Sequence, residues 1–275
     1  MPPPKNAMEV FKLLDKSNCR ECGEKTCLAF AGAVFQGRRP IEDCPRLSPE
    51  VARRFSQPSP EAKLAQQEGQ QYLRELKGKV ASVDLAAAAE RLGGQMVEGK
   101  LVLKVLGKDF GVDRSGRLYT DIHVNPWVAV PFLVHVLYGA GKTPVGEWVS
   151  FRELKEGKQR YALFHKRSEA ALKRVADVYG AFFDDIVHMF SGKEVPAHFE
   201  SDISVVLHPL PKVPFMICYW RPDEGMDSSL NVFFDKTADD NLDIDSVFSL
   251  GVGFAQMIGK LSLRHGFSDQ ELAAS

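Results

Sequence analysis

The sequence predicts an α+β protein with a small helical head. Three observations carry that reading. Strand-like segments come in blocks between helical stretches, without regular strand–helix alternation. The turns between them suit antiparallel hairpins. Four of the five cysteines, Cys19, Cys22, Cys27 and Cys44, crowd into an N-terminal stretch that ends at a polar, proline-containing linker. With 275 residues, 44% hydrophobic and 26% charged, the chain can bury a real core in one or two domains.

In chain order, residues 7–15 (AMEVFKLLD) read as a short amphipathic helix, followed by the cysteine loop and a second helix over 27–36 that ends near Gly37. Ser48-Pro49-Glu50 opens another short helix through an N-cap and an N1 proline. The stretch 57–60 (QPSP) is the most linker-like in the chain, and Ser59-Pro60-Glu61 restarts a polar helix toward Leu76. These signals divide the chain into a head over 1–58, a helical connector over 59–80 and an α+β body over 81–275.

The body opens with an alanine-rich helix (DLAAAAERLG). Short strands follow at 95–97, 101–105 and 110–112, with turns at Glu98-Gly99, Gly107-Lys108 and Ser115-Gly116. Asn125-Pro126 starts an apolar helix that stops at Gly139–Gly141. Helices over 168–179 and 182–190 come next, then strands at 203–207, 215–220 and 230–234, and a closing helix over 246–263.

Charge narrows the function. Lys and Arg total 35 against 36 Asp and Glu, with no basic block, which argues against nucleic-acid binding. The head is slightly basic, the body slightly acidic. Prolines interrupt the first dozen residues where a secretion signal needs an apolar run, so the expected location is cytoplasmic, with thiols kept reduced. The stretch 122–141 lacks Asp, Glu, Lys and Arg, but Asn125, Pro126, Pro131, His123 and His135 make it a buried helix and not a membrane span.

The four cysteines are spaced C-x2-C-x4-C-x16-C. Three thiolates on one loop and a distant fourth suit a [4Fe-4S] cluster, because little chain entropy is lost in bringing them together. Gly23 supplies a bend after the second cysteine, Cys27 starts a helix whose N–H groups favour a thiolate, and Pro45 fixes the exit after Cys44. Zinc modules more often present two short ligand pairs, and disulfides conflict with a reducing compartment. The segment NCRECGEKTCLAFAGAVFQGRRPIEDCPRLSPE resembles the cluster-binding domain of the corrinoid iron-sulfur protein large subunit, and the same spacing occurs in the B subunit of the Rnf electron-transport complex. The resemblance implies that Cys19, Cys22, Cys27 and Cys44 bind one low-potential [4Fe-4S] cluster. It covers about the first 55 residues.

The body resembles domain-of-unknown-function family 3786 through FLVHVLYGAGKTPVGEWVSFREL and LPKVPFMICYWRPDEGMDSSLNVFFDKTADDNLD. That family has no assigned reaction, so its residues are read directly. Asp121-Ile122-His123 begins like a corrinoid-binding signature but has Pro126 where glycine is required. Gly139–Thr143 ends like a phosphate loop but follows a helix, and Gly251-Val-Gly253 reads as close helix packing. The acidic run 239–245 lacks the glycine and terminal Glu of a calcium loop and reads as helix capping by Asp243 or Asp245. Asp184 and His188 share a helix face without a third ligand. His135 reads as a core histidine, Cys218 as inert core, and the 220–225 loop as a hairpin tip that could meet a ligand or partner.

The expected function is one-electron transfer to or from a partner or a ligand of the body. The setting implied by the resemblance is anaerobic, corrinoid-linked one-carbon metabolism, with a corrinoid protein as the specific partner. The alternative is a non-redox binding or scaffold protein whose cluster is structural. An accessory protein is favoured over an enzyme, since four cysteines leave no iron free to act as a Lewis acid.

Overall fold

The computed structural model describes residues 6–35, 39–48, 51, 60–223 and 225–264. Gln36 and Gly37 at the expected helix end, Pro49 and Glu50, and residues 57–59 of the expected linker lie outside them. The chain forms two compact units, Met1–Gln71 and Tyr72–Ser275.

In the smaller unit, helix α1 (Ala7–Phe11) starts where Asn6 accepts the Glu9 N–H at 3.0 Å. It is shorter than its apolar pattern suggests, because the chain tightens into turns in which Leu13 and Leu14 bond three residues back. Helix α2 spans Cys27–Phe35, and a 3-10 turn at Ile41–Asp43 delivers Cys44. Val10, Leu14, Phe30, Ala31 and Ile41 pack with Cys27 and Cys44 into a small core, so two of the thiols belong to the hydrophobic interior of this unit. Val51 is helical, and its N–H donates to Ser48 Oγ.

Helix α3 (Pro60–Lys79) places Leu76 in the core of the larger unit, with Val80 just beyond it. Helix α4 (Leu85–Leu92) is capped at its start by the Asp84 carboxylate, which accepts from Ala86 and Ala87, and at its end by left-handed Gly93. A four-stranded antiparallel meander follows: β1 (Gln95–Val97), β2 (Lys100–Val105), β3 (Lys108–Val112) and β4 (Leu118–Thr120). Its first two turns, Glu98-Gly99 and Leu106-Gly107, each have both residues at positive φ, the twist that closes a tight hairpin. Leu106 bears this conformation while its side chain is buried in the core.

Helix α5 (Pro126–Tyr138) is buried from Val128 to Val136 except for half-buried Val130, as its apolar composition requires. The second sheet has the order β5-β9-β8-β7-β6, all antiparallel, from β5 (Trp148–Ser150), β6 (Lys193–Glu194), β7 (Ile203–Leu210), β8 (Val213–Trp220) and β9 (Ser229–Asp235). Between β5 and β6 come α6 (Gly157–Phe164), a π-helical turn at His165–Glu169, α7 (Ala170–Val178) and α8 (Phe182–Phe190). The helix expected from residue 168 thus belongs to a longer helical run that starts at 157. After β9 come α9 (Ala238–Asn241) and α10 (Ile244–Arg264).

The core is rich in phenylalanine. The Phe151 and Phe164 rings stack at 4.2 Å and 3°, with Phe234 and Phe248 edge-on to them. Helix α10 reaches this cluster through its glycines: a Cβ on Gly251 would stand 2.6 Å from the Phe164 ring, and one on Gly253 2.3 Å from Trp127. The close packing expected of these two glycines is what the structure shows. Among the described residues, one helix, Ile244–Leu263, is long and apolar enough to cross a membrane by length and composition, and 56% of that window is buried inside the fold.

Candidate metal centre

The loop between α1 and α2 is shaped by backbone that doubles back. Lys16, Asn18 and Arg20 alternate in the left-handed region at φ 63°, 51° and 64°, and Gly23 follows at 82°. Such conformations cost non-glycine residues energy, and asparagine bears them best. They reverse the chain repeatedly between Asp15 and Thr26, and Cys22 packs against the small core that holds Cys27 and Cys44. Gly23 closes one bend by donating its N–H to Arg20 O at 2.9 Å.

Thr26 caps α2: its hydroxyl accepts the Ala29 N–H at 3.1 Å. The Cys27 N–H, one of the orphan donors of the first turn, is taken by Asn18 Oδ1 at 2.8 Å. In return the Asn18 N–H donates to Cys27 Sγ at 3.3 Å. On the far side, Cys44 N–H closes onto Ile41 O, and the Arg46 main-chain N–H lies close enough to lower the pKa of the Cys44 thiol. Arg46 also bridges two segments of the head, with Glu21 at 2.7 Å and Asp15 at 3.8 Å. Both pairs are about half exposed, so each holds the loop only weakly.

The four thiols share one electrostatic neighbourhood. Burial pushes the Cys44 thiol above its ordinary value, and proximity to Cys22, Cys19 and Cys27 raises it further, against the lowering effect of the Arg46 N–H. All four are free of disulfides. Among the described residues no three His, Cys, Asp or Glu side chains converge closely enough to hold a single metal ion. The two facts concern different scales: a single ion demands ligands at one point, whereas charges in a partly buried site are felt several ångströms further. A donor set of four thiols, two of them buried and one receiving a main-chain N–H, fits an iron–sulfur group, whose sulfurs are commonly hydrogen-bonded by the chain.

In the body, the residues singled out from sequence have structural partners. Cys218 is fully buried, lies 3.5 Å from Ser204 Oγ and is pushed up by desolvation. His135 is buried, donates through Nδ1 to Asn241 O at 2.9 Å, and is held down to about 4 chiefly by burial. The acidic run is occupied internally: Asp239 accepts the Lys155 N–H, Asp240 pairs with Lys142, Asp245 pairs with Arg160, and Asp243 caps α10 through Ser246. It borders an open cavity of about 440 Å³ with Tyr138 and Glu156. The loop after Trp220 carries a bridge between Asp223 and Met226, and Trp220 Nε1 donates to Phe199 O.

One polar group escaped the sequence reading. Glu169, in the π-helical turn, is fully buried and accepts from Tyr161 Oη, His165 Nδ1 and the Val232 N–H. Its helical neighbours gave no hint of burial, since His165, Lys166 and Arg167 are all exposed.

The fold and site define an α+β protein with an iron–sulfur head. Residues 84–257 match the model described as "Domain of unknown function (DUF3786)", and the chain belongs to that family. Residues 14–46 match a second model, described as "Putative Fe-S cluster". The same region is 45% identical over 42 residues to the acetyl-CoA decarbonylase/synthase complex subunit gamma of Methanothermobacter thermautotrophicus, covering 15% of this chain and 9% of that protein. It is 44% identical over 45 residues to the corrinoid/iron-sulfur protein large subunit of Moorella thermoacetica, covering 16% and 10%. The subunit gamma of Methanopyrus kandleri is 47% identical over 45 residues, with the same coverage. The chain thus spans about a tenth of the length of the curated relatives it matches. No solved structure matches it.

Proposed function

We propose that Cys19, Cys22, Cys27 and Cys44 together ligate one [4Fe-4S] cluster in a head over 1–58, which a helical connector over 59–80 joins to the α+β body over 81–275. The observation that carries this reading is the donor set: four thiols, of which Cys44 feels the other three, with the N–H of Asn18 directed at the Cys27 sulfur. When bound, such a cluster exchanges one electron with little rearrangement. The chain's own residues hold the sulfurs, exclude water from Cys27 and Cys44, and supply the dipoles that stabilise their negative charge.

The protein then serves one-electron transfer to or from a partner in the cytoplasm. The names of the relatives matched by the head support a setting in anaerobic one-carbon metabolism, with a corrinoid protein as the partner. Anaerobic purification with iron and sulfide analysis, then EPR after dithionite reduction, tests the cluster: the expected result is a reduced-cluster signal with four iron and four sulfide per chain. A colourless protein with tightly bound zinc would overturn it. Anaerobic co-purification tests the partner, and recovery without any redox protein would count against that part.

A further inference from the structure

Asn18 hydrogen-bonds Cys27 at both its main-chain nitrogen and its sulfur. Its side-chain Oδ1 accepts the Cys27 N–H at 2.8 Å, and its own N–H donates to Cys27 Sγ at 3.3 Å. The two bonds are reciprocal, like a capping box, but one of them ends on a thiol. Asn18 adopts φ 51°, and this left-handed turn orients its N–H toward the sulfur, while the side-chain bond to the helix holds the turn in place. It also precedes Cys19 directly, so one residue ties the segment of one thiol to the helix start of another. The arrangement is more specific than helix capping requires, because Thr26 already caps α2 through Ala29.

We infer that Asn18 is a positioning residue for the iron–sulfur centre, which fixes the Cys27 sulfur and raises the reduction potential through its N–H···S bond. This rests on the reading that the four cysteines bind a cluster. The physical reason is charge. One-electron reduction adds a unit of negative charge that is shared with the ligand sulfurs, and a fixed N–H dipole aimed at one of them stabilises the reduced form more than the oxidised form. An unanchored donor would have to reorient at each reduction.

Two substitutions separate the clamp from the charge. Asn18→Asp retains an acceptor for the Cys27 N–H and tolerates the left-handed turn, but places a negative charge at the site. Asn18→Gly retains the turn and the main-chain donor but removes the anchor. After anaerobic reconstitution of the full chain, the midpoint potential is read by dithionite titration under EPR, and iron release is timed with a chelator. The expected result is a potential more negative than wild type in both variants, with iron release at least severalfold faster in Asn18→Gly. A purely structural asparagine would leave the potential of loaded Asn18→Gly unmoved, whereas the added charge lowers that of Asn18→Asp in either case.

Loaded Asn18→Gly with the wild-type potential and release rate would overturn the role of Asn18 while leaving the cluster standing. A wild-type chain that takes up neither iron nor sulfide would instead remove the cluster reading, and this inference with it.

Discussion

The buried carboxylate of Glu169 accepts, at 3.1 Å, the main-chain N–H of Val232 in β9. Strand β5 pairs with β9 from Asp235 to Phe233 and then ends, so Val232 offers an edge donor that no strand meets. The side chain of Glu169 stands in for the missing partner, as a buried N–H requires. Glu169→Ala leaves that donor and Tyr161 without their acceptor and opens a cavity, and should cost about 3 kcal/mol or more in a urea titration. Glu169→Gln retains one acceptor oxygen and should cost roughly half as much.

His135 predicts an acid-sensitive body. Burial is the main cause of its depressed value of about 4, with Arg91 and Lys212 adding to it and the bond to Asn241 opposing. In the unfolded chain a histidine titrates near 6.5. As pH falls below that value, the unfolded chain takes a proton that the folded chain refuses, so stability present above pH 6.5 is lost down to about 4. The loss from this one group should be about 3 kcal/mol. Urea midpoints measured from pH 8 to 4 check it. His135→Asn should be less stable at pH 8 yet show a flatter pH profile.

The glycines of α10 divide by what faces them. At Gly253 a methyl group would press on Trp127, including its Cβ, which cannot move without shifting α5. Gly253→Ala is expected to lower stability by about 1–3 kcal/mol. Gly259, in the same helix, has nothing within 4 Å, and Gly259→Ala should gain up to about 1 kcal/mol from helix propensity. Thermal unfolding of the pair should move in opposite directions.

Cysteine substitutions separate the head from the body. Cys44→Ala should abolish the reconstituted cluster or convert it to a three-iron form, as read by EPR and iron analysis. Cys218→Ala should leave iron content unchanged, because that thiol lies in the sheet beside Ser204. Equal iron loss in both would contradict the ligand assignment.

The α+β class, the antiparallel pairing and most helices were legible because their signals are local: alternation, caps and turn glycines, although the second hairpin turn is Leu106-Gly107 and not Gly107-Lys108. Strands β4, β5 and β6 were not: two or three residues are too few to show a period, and β1, equally short, was marked by the Glu98-Gly99 turn that joins it to β2. The π-helical turn was hidden for a different reason. Glu169 is held by a strand 63 positions away, and nothing in its own helix announces that contact. The cysteines stood out by spacing alone, whereas the role of Asn18 needed the left-handed turn, which sequence does not display.

The β5–β9 ladder gives the body an uneven path to its folded state. Every other pairing in either sheet joins strands that are neighbours in the chain. Only β5 must wait for a partner far downstream: Gly146, just before it, donates to Asp235 across 89 positions. Closing so long a loop is entropically slow, so the hairpins should assemble early and β5 should dock last. Until it does, β9 presents an open edge. During synthesis this leaves the half-made sheet exposed to pairing with other chains until the segment carrying Glu169 and β5 has settled against it.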